Sequence, residues 1–204
     1  MSHWTIVPVR GLATGKSRLA GLLDPQERWA LNAMLLARVL DAVEHCDGDL
    51  SRCIVASAGA DALALARERG ALPLPDAGDA GLNAALEAAR DTARANGAAS
   101  ILVLAADLPD ANQDAICRLR AWAQSGGAAL VADRRGWGTN GLLLAAGCPV
   151  RFTFGEGSLA RHRGSIERTG VKLTIWRDPA LAFDIDSPDD YREWRARSAP
   201  TRPV

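Results

Sequence analysis

The stretch 5–19, TIVPVRGLATGKSRL, is the feature that most limits what this chain can fold into. An apolar run over 5–9 reads as a buried strand, and it passes at once into a loop with Gly11 and Gly15, followed by Lys16, Ser17 and Arg18. A strand that feeds a glycine-rich turn presents backbone N–H groups, and two nearby cations make such a turn a cradle for phosphate. A surface turn with solvated charges fits the same residues. The spacing excludes two familiar loops. The gap between Gly11 and Gly15 is one residue short of a Walker A loop, and Gly21 and Asp24-Pro25 break the helix that should grow from the Lys-Ser pair. A dinucleotide fingerprint is also missing after this strand.

Downstream, strands and helices alternate. Asp24-Pro25-Gln26-Glu27 carries an N-cap, a proline at the first helical position and the far member of a capping box. The helix it opens should run to about Glu44, with Leu31, Leu35, Val39 and Val43 on one face. A strand is expected over 53–56, a helix over 60–69, a proline- and glycine-broken loop over 72–79, a helix over 81–96, a strand over 101–105 and a helix over 112–124. After that come strands at 129–132 and 141–145 around a polar segment, a helix from Ser158 to about Thr169, a strand over 172–176 and a last helix from Pro188. This rhythm predicts an α/β chain with a mostly parallel sheet and helices on both faces.

Composition narrows the function. The 204 residues suit one domain, with no internal repeat or linker and a frayed tail expected over 198–204. The formal net charge is zero, which argues against a nucleic-acid partner. No apolar run is long enough to span a membrane and no signal-peptide pattern is present, so the expectation is a cytoplasmic protein with no membrane partner. Cys46, Cys53, Cys117 and Cys148 lack metal spacing and read as reduced, mostly core residues. The three histidines do not cluster, which argues against a zinc site.

Three constellations carry chemistry. Asp107 stands just past the carboxyl end of the strand at 101–105, where open α/β sheets bind ligands, although an aspartate before Pro109 also suits a turn. Asp184-Ile185-Asp186 places two carboxylates on one face of an extended segment, a costly pairing unless a hard dication shares them. Capping of the last helix accounts for Asp186 but leaves Asp184 without a role. Finally, the segments 136–140 and 155–158 combine glycines with the hydroxyls of Thr139 and Ser158, a setting for a compact anion. Arg134 and Arg135 nearby are either solvated or neutralise a carboxylate. Taken together, a cationic loop for a triphosphate, aspartates for Mg²⁺ and a second polar pocket form a nucleotidyltransferase set.

In this order and spacing the chain resembles the CofC/FbiD guanylyltransferases of coenzyme F420 biosynthesis. The markers are Val7-Pro8-Val9 with Gly15-Lys16-Ser17-Arg18-Leu19, Gly81-Leu82-Asn83, Asp107-Leu108-Pro109, Gly138-Thr139-Asn140, Phe154-Gly155-Glu156-Gly157-Ser158 with Arg161-His162, and Asp184-Ile185-Asp186-Ser187-Pro188. The resemblance implies a single-domain nucleotidyltransferase, a glycosyltransferase-A-like three-layer sandwich with a GTP-binding half over about 1–127 and an acceptor half over about 128–190. It implies transfer of GMP from GTP to a small phosphorylated carboxylic acid (2-phospholactate, phosphoenolpyruvate or 3-phosphoglycerate) with release of pyrophosphate. By position, Lys16 and Asp107 would be catalytic; Gly11, Gly15, Lys16, Arg18, Gly81 and Asn83 would bind GTP; Thr139, Gly155 and Ser158 would bind the acceptor; and Asp107, Asp184 and Asp186 would hold Mg²⁺. A homodimer is compatible with the resemblance. Trp137, between the glycines before Thr139, is expected to narrow the acceptor pocket. A nucleotidyltransferase for a sugar phosphate or another phosphorylated alcohol, and a non-catalytic nucleotide-binding module, remain as alternative readings.

Overall fold

The computed structural model describes residues 2–76, 81–123 and 126–198. All but the first residue of the tail expected over 198–204, and part of the loop expected over 72–79, lie outside them. The strands are β1 (His3–Val9), β2 (Cys53–Ser57), β3 (Leu72–Pro75), β4 (Ser100–Leu104), β5 (Ala128–Ala132), β6 (Thr139–Ala145) and β7 (Leu173–Trp176). They form one seven-stranded sheet in the order β3-β2-β1-β4-β6-β5-β7. Pairings are parallel except where β6 runs antiparallel between β4 and β5.

The helices are α1 (Pro25–Asp47), α2 (Ala60–Glu68), α3 (Gly81–Ala95), α4 (Gln113–Ala123), α5 (Ser158–Glu167), α6 (Pro179–Ala182) and α7 (Pro188–Ser198), with a 3-10 turn at Ser17–Leu19. Side chains alternate across each strand, so the sheet has two apolar faces. Val7, Val55, Leu102 and Leu104 pack with Leu36, Val39 and Leu40 of α1, Ala62 and Ala66 of α2, and Ile116 and Leu119 of α4. On the other face Ile6, Ile54, Ile101 and Val103 pack with Leu86 and Ala89 of α3 and Ile166 of α5. The result is the expected three-layer sandwich.

The capping box at the start of α1 is present: the Asp24 carboxylate accepts from Glu27 N–H at 2.8 Å, and the Glu27 carboxylate accepts from Asp24 N–H at 2.8 Å. Three expectations need correction. Residues 72–75 form an edge strand rather than a loop; Pro73 and Pro75 are tolerated because only one side of β3 is paired. Thr139 and Asn140 belong to β6 rather than to the polar turn before it. Cys46 and Cys117 are not free thiols but form a disulfide, since α1 packs on α4 and brings their Cα atoms to 5.6 Å. Cys53 and Cys148 are buried and free, as expected. No helix among the described residues is long and apolar enough to cross a membrane.

Candidate active site

The antiparallel run of β6 is what assembles the site. Leu104 at the carboxyl end of β4 lies opposite Gly141, so Thr139 at the start of β6 and Asp107 beyond β4 come to the same end of the sheet. Ala105 N–H donates to Asn140 O at 2.8 Å and extends that pairing. The carboxyl end of β1 opens at this end too, and its loop carries Lys16.

A small third apolar cluster fixes the charged groups. Phe183 and Ile185 are buried with Leu19, Leu23, Leu31 and Leu35, and Tyr191 and Trp194 of α7 pack against them. Because alternate residues of an extended segment face opposite ways, burying Phe183 and Ile185 turns Asp184 and Asp186 outward together. Burying Leu19 in the same cluster brings the preceding Lys16 to them. Ile185 N–H also donates to Asp107 O at 3.3 Å, which ties this segment to the end of β4.

Asp107, Asp184 and Asp186 each offer a carboxylate oxygen within 4.8 Å of the others. Lys16 Nζ donates to Asp107 at 2.5 Å and to Asp186 at 3.2 Å, and the lysine side chain is only 8% exposed. Lys16 adopts the left-handed backbone region (φ 54°), alone among the described non-glycine residues, a conformation that costs energy outside glycine. Burial works against its charge, but Asp107 and Asp186 outweigh that and raise its pKa. Asp184 has no lysine contact: burial, then the charges of Asp107 and Asp186, push its pKa up to about 6. Three hard oxygen donors, one of them held against like charges, fit a divalent cation such as magnesium.

Behind the three acids lie two side chains that no local sequence signal marks as their partners, Asn140 and Asp190. Asn140 Nδ2 donates to Leu181 O and Ala182 O at 3.1 Å and reaches Asp184 Oδ1 at 3.4 Å. Asp190 accepts from Ser187 N–H at 2.8 Å, Ser187 Oγ–H at 2.7 Å and Asp186 N–H at 3.2 Å, which fixes the turn that carries Asp186. Arg134 and Arg135 both pair with Asp190 and neutralise its carboxylate, although both remain open to solvent. Burial alone would raise the Asp190 pKa, but the bonds from Ser187 and Asp186, with Arg134, lower it.

The glycine loop is pinned by two side chains, Asp61 of α2 and Asn32 of α1, with Trp29 holding Asp61. Asp61 accepts from Leu12 N–H at 3.2 Å and Ala13 N–H at 3.0 Å, Asn32 Nδ2 donates to Leu12 O at 2.7 Å, and Trp29 Nε1 donates to Asp61 at 3.1 Å. Those two amides thus face a protein carboxylate. Gly11 (φ +133°) lies against Gly59; a Cβ on Gly59 would stand 2.6 Å from Gly11 Cα. Gly15 has no room either, since a Cβ would meet Asn32 Nδ2 at 2.7 Å. Arg18 is exposed at the 3-10 turn.

The residues expected from sequence to bind the acceptor lie where the turn before β6 meets the start of α5, joined by Leu159 N–H donating to Trp137 O at 3.2 Å. Thr139 is buried and shares a 3.1 Å hydrogen bond with His162 Nδ1. Ser158 is buried at the start of α5, and its N–H donates to Gly155 O at 3.1 Å. Gly155 (φ +116°) and Gly157 (φ +65°) take backbone conformations that suit glycine. Asn83, expected at the nucleoside, also binds backbone: Oδ1 accepts from Phe154 N–H at 2.8 Å and Nδ2 donates to Phe154 O at 3.2 Å. Gly81 opens α3 with φ +78°. Trp137 projects from the turn before β6, 71% exposed.

Comparison with known proteins gives a consistent picture. A family model described as guanylyl transferase CofC like matches residues 3–197. A phosphoenolpyruvate guanylyltransferase of Sphaerobacter thermophilus is 39% identical over 95% of this chain and 92% of its own length. One of Rubrobacter xylanophilus is 39% identical over 96% of this chain and 95% of its own length. Among solved structures, a nucleotidyl transferase from Methanothermobacter thermautotroptrophicus has a TM-score of 0.67 at 18% identity, covering 96% of this chain and 97% of that one. A CMP:2-keto-3-deoxy-manno-octonic acid synthetase solved with CTP has a TM-score of 0.62 at 13% identity, covering 97% and 98%. The last two show a shared fold.

Proposed function

From the premise that this chain belongs to the CofC-like guanylyl transferase family, we propose that it transfers GMP from GTP to a small phosphorylated carboxylic acid, phosphoenolpyruvate foremost, and releases pyrophosphate. The observation that carries this reading is the convergence of Lys16, Asp107, Asp184 and Asp186 at the sheet end where Thr139 begins β6. The names of the curated relatives favour phosphoenolpyruvate within the acceptor class.

The acceptor's phosphate oxygen attacks the α-phosphorus of GTP; a new P–O bond forms as the bond to the β-phosphate oxygen breaks, and pyrophosphate leaves in line. A phosphate monoester is largely dianionic near neutral pH, so no general base is required. Magnesium held by Asp107, Asp184 and Asp186 would supply positive charge to the α-phosphate and leaving oxygens. Lys16 brings a second charge to that point, and its flexible stem lets the ammonium exchange a carboxylate for a phosphate oxygen. Thr139, Ser158 and the Gly155 turn hold the acceptor anion, while Asn140 keeps Asp184 aimed at the reacting end.

The test is pyrophosphate release with GTP and Mg²⁺ against phosphoenolpyruvate, 2-phospholactate and 3-phosphoglycerate, with ATP, CTP and UTP as alternative donors. Release with GTP and one phosphorylated acid is expected. Release only with sugar phosphates, or with none of these acceptors, overturns the reading.

A further inference from the structure

His162 is outside the groups assigned to substrate, yet it is buried completely and touches Thr139, Thr153 and Phe154. Its Nε2 accepts the Thr153 backbone N–H at 2.9 Å. A ring nitrogen that accepts carries no proton, so in the neutral imidazole the hydrogen sits on Nδ1. That nitrogen faces Thr139 Oγ1 at 3.1 Å. The ring edge packs on Phe154, with centroids 4.7 Å apart, so it has little freedom to turn. Burial, helped by the charge of Arg161, pushes the ring pKa down to about 4, which keeps it neutral near pH 7.

The consequence falls on Thr139. A hydroxyl has one hydrogen to give and two lone pairs to receive. With a lone pair taken by Nδ1–H, and with no acceptor for the hydroxyl hydrogen among the described residues, Thr139 is left as a donor. A donor of fixed direction is what an anionic acceptor needs, and a hydroxyl whose hydrogen was already spent on a histidine nitrogen would repel it. Through Thr153, the same ring also fixes the segment that leads into the Gly155 turn.

We propose that His162 is a positioning residue of the acceptor pocket: as the Nδ1–H tautomer it holds Thr139 as a hydrogen-bond donor to an acceptor anion and anchors the Thr153 backbone beside it. The proposal rests on the functional reading above, which supplies the acceptor. It adds a residue that touches no substrate and acts by choosing which way a hydroxyl points.

Two variants divide the two bonds. H162Q can place an amide oxygen where Nε2 accepts from Thr153 while removing the fixed donor to Thr139; H162N can place an amide N–H where Nδ1 donates to Thr139 while releasing Thr153. H162Q should raise the KM for phosphoenolpyruvate about tenfold, the loss of one hydrogen bond to an anion, with the KM for GTP within about twofold. H162N should recover part of that loss. Nitrogen-15 spectra of the wild-type protein without substrate should show His162 protonated at Nδ1, a readout that survives even if neither variant folds. An Nε2-protonated ring, or an active H162Q enzyme with unchanged acceptor KM, overturns the inference alone. A wild-type chain that transfers no guanylyl group overturns the functional reading and the acceptor role with it, even with the ring signal as expected.

Discussion

Lys16, Asp107, Asp184 and Asp186 meet as full charges, whereas Thr139, His162, Asn83 and Phe154 meet as neutral dipoles. The charged group is only partly compensated: two of the three acids share one ammonium, which gains from them, while the third is held near like charges at a pKa of about 6. The force that brings them together is apolar, the burial of Ile185, Phe183 and Leu19 in one cluster. The neutral group needs no such force, because each hydrogen bond in it satisfies a partner that would otherwise be buried unpaired. One wall therefore stores electrostatic cost for a cation and a triphosphate to relieve, and the other presents a prepaid set of donors. The contrast predicts which changes should hurt catalysis and spare the fold.

The largest effect should come from Asp184→Asn. It removes a cation ligand but also a charge that its neighbours disfavour, so turnover should fall about a thousandfold while the melting temperature of the metal-free protein at pH 7.5 holds or rises. Turnover measured by pyrophosphate release that survives the change would break the comparison. Ile185→Ala should act the other way round. Emptying a fully buried position costs about 3 kcal/mol in urea unfolding, and it should weaken Mg²⁺ activation as the two flanking aspartates lose their common direction. A variant that loses stability but keeps its Mg²⁺ requirement would mean that the cluster does not aim the acids.

The charged wall is the more legible of the two in sequence. The alternation Asp184-Ile185-Asp186 states its own geometry, since an apolar residue between two acids can only be buried by turning both outward. Asp24 and Glu27 are as legible, because a capping box is local. The neutral wall is only half legible: the glycines beside Thr139 and Ser158 mark those residues, but the pairings behind them are hidden for the opposite reason. His162 acts through Thr139 and Thr153, and Asn83 through Phe154; nothing along the chain marks these partners, and only the packing of α3 and α5 on the sheet makes them neighbours. The Cys46–Cys117 bridge spans 71 residues and was hidden in the same way. The edge strand β3 was masked by its own prolines, which signal a break in a central strand and are harmless at a rim.

A smaller effect should appear with pH. The folded pKa of Asp184 lies above the ordinary 3.8, so the group binds its proton more tightly in the fold, and the carboxylate needed for a cation is lost as pH falls through about 6. The Mg²⁺ concentration for half-maximal activity should be flat from about pH 7 to 8 and rise about tenfold by pH 5. Chelated wild-type protein should gain stability over the same descent relative to Asp184→Asn, the reverse of a salt-bridged acid. A flat Mg²⁺ requirement down to pH 5 would remove the stored electrostatic cost from the first wall.

The smallest effect sharpens the second wall. Asn83 holds both the N–H and the C=O of Phe154, one residue before the Gly155 turn, so its amide acts as a template for that backbone. Glu87 and Arg90, further along α3, continue the same pattern: Glu87 accepts from Phe152 N–H at 2.9 Å, and Arg90 donates to Cys148 O and Val150 O at 3.0 and 2.8 Å. One face of α3 thus carries most of the approach to the acceptor loop, and α5 holds Thr153. Asn83→Ala removes one of several such ties, so the loop should loosen without coming free, raising the acceptor KM about fivefold. If α3 served the nucleoside through Asn83, the loss would fall on the KM for GTP instead. Steady-state kinetics with each substrate varied in turn decides between the two, and an effect on GTP alone would move Asn83 out of the neutral wall.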